Sequence, residues 1–206
     1  MKFYTLLLSF TILCINNAKA NDSCIIYINE ARRLMGESEY VKAILLIDKC
    51  ILLDNKNAYV YNLKGCATVF KSSINDEINN KQALILFNKA IEIDSSKSEY
   101  YNNRGWANQN LDKLILSYLD YKKALSLDTN NLVSYSNILR NLWIRNKFKD
   151  AYTYSEILIK KFPNDGYAYH VRGNLKRDYL HKYKEGNIDL KISEKLRWNM
   201  GQFFIY

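Results

Sequence analysis

Apolar residues return along this sequence at helical spacing, in segments of similar length separated by polar breaks. In "VKAILLIDKCILLD" (41–54) and "ALILFNKAIEID" (83–94) they fall at i, i+3, i+4 and i+7, the pattern of a helix with one buried face. Polar clusters close successive segments: "DNKN" (54–57), "DSSKS" (94–98), "DTNN" (128–131) and "PND" (163–165). Their Asp, Asn and Ser suit turns and helix N-caps, because a short polar side group accepts from the unpaired N–H groups of a first turn. One proline and seven glycines leave little loop material and no flexible linker. The pattern predicts an all-α protein of short amphipathic helices.

The helices recur in register. Tyr27, Tyr61, Tyr101, Tyr135 and Tyr169 are each followed four residues later by Ala31, Gly65, Gly105, Leu139 and Gly173, with spacings of 34, 40, 34 and 34. A second series, Cys50, Ala90, Ala124, Leu158 and Ser193, is spaced 40, 34, 34 and 35. The long interval holds six extra residues around "KSSINDEINN" (71–80), read as neutral drift with a contact loop as the alternative. Small residues at Ala43, Gly65, Ala83 and Gly105 allow two helices to approach closely. One helix pair cannot bury its apolar face alone, so neighbouring pairs must stack.

A period of 34 with these positions resembles the tetratricopeptide repeat family. In the third unit Tyr101 takes the leading aromatic place, Gly105 the small place, Tyr121 the aromatic place of the second helix and Ala124 its alanine place. In the second unit these are Tyr61, Gly65, Phe87 and Ala90, with Ala83 at the first alanine place. Pro163 matches the turn proline. The pattern departs elsewhere: Tyr leads where Trp is typical, Lys64, Arg104 and Arg172 stand where Leu is typical, and Leu139 replaces the small residue. The resemblance implies a right-handed α-solenoid of about five antiparallel helix pairs. Its units would cover about 24–57, 58–97, 98–131, 132–165 and 166–199 of a repeat domain spanning 21–206. The closing "NMGQFFIY" then packs on the last pair or serves as a partner-binding tail.

The first twenty residues read differently. A basic start, an apolar run of 13 and small residues at Ala18 and Ala20 make a secretory signal cleaved after Ala20. Retention as a membrane anchor is the alternative, though the run is short of the roughly 20 residues a span needs. No other stretch is apolar enough to cross a bilayer. The expected destination is periplasmic or secreted. The net charge is +9. Residues 21–139 hold 14 basic and 14 acidic residues, whereas 140–206 hold 14 and 7. That asymmetry suggests an acidic partner or an anionic surface at 140–206, or a solvated face.

Candidate chemistry is sparse. His170 and His181 lack the partners of a catalytic or metal set, and both read as surface histidines. Neither enzymatic activity nor a cofactor or metal is expected, and nucleic acid is disfavoured because no base-reading motif appears. In an oxidising compartment Cys24, Cys50 and Cys66 allow one pair and one free thiol. Cys50 ends a second helix and Cys66 lies on the next first helix, so Cys50–Cys66 is the expected bond, with buried free thiols as the alternative. The family resemblance implies a concave groove lined by first helices. At its positions stand Tyr59 and Asn62; Asn102, Trp106 and Gln109; Arg140 and Trp143; His170 and Arg177. Asn and Gln there suit an extended backbone, arginine suits carboxylates, and the tryptophans serve as anchors or as packing between units. The resulting expectation is a non-catalytic scaffold that binds a peptide or protein in the groove. The alternative is a binder of lipid headgroups or acidic polymers.

Overall fold

The computed structural model describes residues 22–71 and 76–196, and every regular element among them is helical. The expected leader, residues 72–75 of the insertion and the closing aromatic segment lie outside these residues. The protein divides into two compact units at Ser95 and Ser96. Unit one holds α1 (22–36), α2 (Tyr40–Leu53), α3 (Ala58–Phe70) and α4 (Glu77–Ile93). Unit two holds α5 (Ser98–Asn110), α6 (Leu114–Leu127), α7 (Leu132–Ile144), α8 (Phe148–Lys161), α9 (Gly166–Asn174) and α10 (Tyr183–Lys195), with a π-helical segment, Leu175–Tyr179, continuing α9. The architecture is all-α, of the α-solenoid class. Odd-numbered helices are the first and even-numbered helices the second members of each hairpin.

The polar breaks cap the helices as their composition requires. Asn57, Asn131 and Asp165 accept from the N–H groups of Val60, Ser134 and Ala168 at the starts of α3, α7 and α9. The "DSSKS" break is an exception, since Lys97 takes the N-cap of α5 without a side-chain bond. Within hairpins the backbone reverses through a left-handed residue: Ser38, Asp112, Asn146 and His181 all have positive φ. In three of these turns the N–H of the following residue, Glu39, Lys113 or Lys147, bonds the carbonyl five positions back. This closes the helix C-terminus in the manner of a Schellman motif.

The close approach inside each hairpin comes from paired residue sizes. A Cβ on Gly65 would lie 2.4 Å from the Phe87 ring, and one on Gly105 would lie 2.7 Å from the Tyr121 ring. Phe87 and Tyr121 are buried knobs over glycine holes. The fourth hairpin inverts the sizes. Leu139 occupies the glycine register of α7, and Ser155 occupies the aromatic register of α8, both with 0% exposure. The departure at Leu139 is therefore matched on the facing helix.

Two irregular spacings resolve into local structure. The six extra residues divide between the connection after Phe70 and a longer α4, which has 17 residues where α2, α6 and α8 have 14. The single extra residue of the last repeat is taken up by the π segment. There the N–H of Leu180 bonds the carbonyl of Leu175, and that of Lys182 bonds Lys176. A π-bulge accommodates one inserted residue without breaking the helix.

The cysteine pairing differs from the expectation. Cys24 is bonded to Cys50, with Cα atoms 4.8 Å apart, and Cys66 is free and buried. Cys24 near the start of α1 and Cys50 near the end of α2 stand at one level of an antiparallel hairpin. Lys64 faces α2, where it pairs with Asp48 at 2.6 Å. Cys66 lies two residues further on, about 200° around the helix, and so points away from α2.

The matched volumes can be tested directly. Leu139→Gly should cost about 3–5 kcal/mol. Leu139→Gly combined with Ser155→Tyr should recover most of that in chemical denaturation, whereas additive losses would show that the two positions do not share a hole. Replacing both Cys24 and Cys50 by alanine should cost about 2–4 kcal/mol. In the unreduced parent, denaturation followed by alkylation should label Cys66 alone among the mature cysteines.

Candidate functional site

The first helices of unit two carry polar side chains where the register would otherwise bury apolar ones, and the structure shows what each meets. Arg104 on α5 forks onto Asp120 of α6, with Nε 3.1 Å from both carboxylate oxygens, and Asn108 donates to Asp120 Oδ2 at 3.0 Å. The last hairpin repeats the device. Arg172 donates to both Asp189 oxygens at 2.8 Å, and Lys176 reaches Oδ2 at 2.9 Å. Asp120 and Asp189 occupy one register of the second helices, and Arg104 and Arg172 occupy one register of the first. Burial pushes the Asp189 carboxyl up, but the bonds and charges of Arg172 and Lys176 outweigh it and leave it below the usual range.

Neighbouring first helices are joined by a polar seam. Asn102 Oδ1 on α5 accepts from Asn137 Nδ2 at 3.0 Å and from Ser134 Oγ at 3.3 Å, while Asn131 donates to Ser98 at 3.2 Å. One turn along α7, Asn141 turns instead to the second helix α6, where its Nδ2 donates to the Leu114 carbonyl and Ser117 Oγ. Several atoms of this seam remain unanswered. Gln109 Oε1, Asn137 Oδ1 and Asn141 Oδ1 are buried without a hydrogen-bond partner. Leaving such groups dry and unpaired costs on the order of 1–3 kcal/mol each. Arg140 of α7 is half-buried, and among the described residues no carboxylate lies within ion-pair distance of it. Burial raises the titration of the Tyr121 and Tyr167 hydroxyls; a hydrogen bond with Ser117 and then the Arg140 charge oppose the rise at Tyr121, and the Arg140 charge opposes it at Tyr167. His170, half-buried on α9, is held below its usual value by burial and is therefore largely neutral at pH 7.

Several solved structures share this fold. PilF of Pseudomonas aeruginosa matches with a TM-score of 0.76 at 15% identity, covering 88% of this protein and 79% of that one. MamA matches with 0.68 at 18% identity, covering 86% and 93%. YrrB, a TPR protein with an unusual peptide-binding site, matches with 0.64 at 20% identity, covering 87% and 89%. The protein has the tetratricopeptide-repeat fold. No protein-family model matches the sequence, and no curated protein does.

The departures from the tetratricopeptide pattern have local physical reasons. The arginines in the leucine register are neutralised by the aspartates opposite. Leading tyrosines lie under cations: Lys49 over Tyr27, Arg104 and Lys123 over Tyr101, Lys161 over Tyr135 and Arg172 over Tyr169. Part of the basic excess of the last third is engaged in such contacts.

The residues expected to line a groove are not equally accessible. Asn62, Asn102, Trp106 and Gln109 are buried, so Trp106 packs within α5's surroundings more than it faces water. Tyr59, Arg140, Trp143, His170 and Arg177 are half-buried. Within unit two, α5, α7 and α9 are adjacent. They carry Asn102, Trp106, Gln109, Arg140, Trp143 and His170. Trp143 stacks edge-on against Phe148, and Phe148 lies 5.4 Å from Tyr179. Arg177 sits in the π segment with its stem over Gly186 of α10. His170 lies 3.1 Å from Asn174. Tyr121, Asn137 and Asn141 are absent from the expected set. Tyr121 sits in the aromatic core register of α6. The available signal for Asn137 and Asn141 is amide side chains four apart on an otherwise apolar stripe.

Arg104→Leu alone should cost about 3 kcal/mol by stranding Asp120, and the Arg104→Leu, Asp120→Leu pair should regain most of it. Because the Asp189 carboxyl is depressed in the fold, its contribution is present above the ordinary aspartate value. It fades as pH falls below about 4. Acid unfolding followed by circular dichroism should show a shallower pH dependence in Asp189→Asn than in the parent.

Proposed function

We propose that this protein is a non-catalytic, exported interaction module. It holds a peptide or protein segment against the first helices α5, α7 and α9 of unit two. The observation that carries this reading is the seam of buried acceptors, Gln109, Asn137 and Asn141, unanswered within the fold. α7 and α9 also carry the half-buried Arg140, Trp143 and His170. Backbone N–H groups of an extended segment are the donors such acceptors lack. The Cys24–Cys50 bond supports an oxidising destination, in keeping with the signal-like start. Among the described residues no helix is long and apolar enough to cross a membrane.

Crosslinking of the tagged protein in its native compartment, followed by mass spectrometry, tests the reading. One dominant protein should be captured, and Trp143→Ala or Arg140→Ala should reduce capture several-fold. Unchanged capture by both variants would remove the partner from this face.

A specific surface supports a second reading. The outer side of α6 exposes Ile115, Leu116 and Leu119 together with Lys122 and Lys123, while Asp120, the acidic residue within α6, is buried. An anionic surface fits such a face. Sedimentation with phosphatidylserine vesicles should then fall steeply as salt rises from about 50 to about 300 mM, where the screening length drops below about 10 Å. Leu119→Glu should abolish it.

A further inference from the structure

The hairpin turns of unit two lie at one edge, where α5, α7 and the π segment end and α6, α8 and α10 begin. Lys113, Lys147 and Lys182 take the N-cap place there, one register of the repeat, and none caps its helix through its side chain. Within two residues of these lysines stand the further cations Arg145, Lys149 and Lys184, against Asp112 as the acid; Asp150, Asp178 and Glu185 lie just outside. The fold gives no reason for the lysines. An N-cap favours Ser, Thr, Asp or Asn, and a cation at the positive end of a helix dipole is unfavourable. The same register in unit one holds Glu39, with Glu37 beside it, so the turn itself does not demand a lysine.

The same edge exposes large apolar and aromatic side groups. Ile115, Leu116, Ile144, Tyr179 and Tyr183 are 64%, 52%, 42%, 48% and 58% exposed. They run from hairpin to hairpin. Arg145, next to Ile144 at the end of α7, lines an open recess of about 560 Å³ together with Asp112, Lys113 and the first residues of α6, and its guanidinium lies over Tyr118. The Trp143 ring meets Phe148, Phe148 meets Tyr179, and the His181 and Tyr183 rings are 6.3 Å apart. Separate apolar tips between long basic side groups, with tyrosines among them, suit the boundary between water and lipid. Rings and branched chains enter the acyl boundary, and lysine stems reach back to the phosphates. They suit a protein partner less, because a protein anchor must be enclosed and dried by its surroundings, whereas these tips stand open on the turns.

We propose that the hairpin-turn edge of unit two docks on the surface of an anionic lipid bilayer. This rests on the second reading above, in which the outer side of α6 meets an anionic surface. It extends that contact from Ile115 and Leu116 across the turns of the next two hairpins. With acids flanking the lysines, charge steers the edge to the bilayer and the apolar tips hold it there.

Sedimentation of the mature protein with phosphatidylcholine vesicles, with and without about 30% phosphatidylserine, tests this. Binding should require phosphatidylserine. Tyr183→Glu, on α10 and so outside the α6 face, should weaken it about fivefold or more, and Lys147→Asp combined with Lys182→Asp about tenfold or more. The double variant should also melt no lower than the parent, because aspartate is the better N-cap, so its lost binding is not a damaged fold. Equal binding without phosphatidylserine, or unchanged binding by Tyr183→Glu or by the double variant, would overturn the proposal. So would binding to soluble inorganic polyphosphate that is as tight as to vesicles and indifferent to Tyr183→Glu, which assigns the edge to an acidic polymer. If Leu119→Glu abolishes sedimentation while the turn variants bind like the parent, the edge falls and the second reading stands. If the turn variants weaken binding and Leu119→Glu does not, the edge stands and the outer side of α6 is released from the contact. If neither vesicle sediments the protein, both fall.

Discussion

The close contact inside each hairpin is the constraint on which the rest of the structure depends. An aromatic ring of the second helix fits into the space left by a missing side group on the first, as Phe87 does over Gly65 and Tyr121 over Gly105. At that distance the two helices exclude water along their shared face, and the remaining positions of each helix are assigned to neighbours or to solvent. The fourth hairpin meets the same volume requirement with the sizes reversed, Leu139 against the register of Ser155. Cores tolerate such exchanges when total volume is kept.

Bringing the helices so close also decides the fate of their charges. Arg104 and Arg172 project along the interface rather than away from it, so each must be answered by an aspartate from the opposite helix. The pairing of Asp120 with Arg104 and Asn108, and of Asp189 with Arg172 and Lys176, is one solution used twice. Its net stabilisation is modest, since desolvation consumes much of the Coulombic gain. Its effect is to fix which register of the second helix meets the first.

Where the fold supplies no internal answer, binding can supply one. The seam between α5 and α7 satisfies Asn102 but leaves Gln109 Oε1 and Asn137 Oδ1 unmatched, and Asn141 Oδ1, toward α6, is unmatched as well. Arg140 rises from α7 without an anion among the described residues. Interior groups of this kind lower the stability of the free protein. The apolar and basic outer side of α6 is a separate feature, defined by exposed side groups rather than by unmatched interior ones.

The sequence determined the repeat and hence the architecture. A helix face must be apolar at a period of 3.6, and hairpins that stack identically must repeat their small and aromatic residues in register. Tyr27 to Tyr169 and Ala31 to Gly173 therefore expose the fold without coordinates. The caps at Asn57, Asn131 and Asp165 were legible for the same local reason. The tertiary structure alone decided what depends on angle around a helix and on neighbours distant in sequence. Cys66 was separated from Cys50 by two residues' rotation, not by spacing along the sequence. An extra residue near Gly173 became a π segment that lays Arg177 over Gly186. Trp106 proved buried where its repeat position suggested a groove, because burial depends on the volume of the side groups around it. Arg140 stands in the register of Trp106, apart from Arg104 and Arg172, and packing decided that an aspartate lies opposite those two while no carboxylate among the described residues comes within ion-pair distance of Arg140, because such pairing depends on which side groups the neighbouring helix presents.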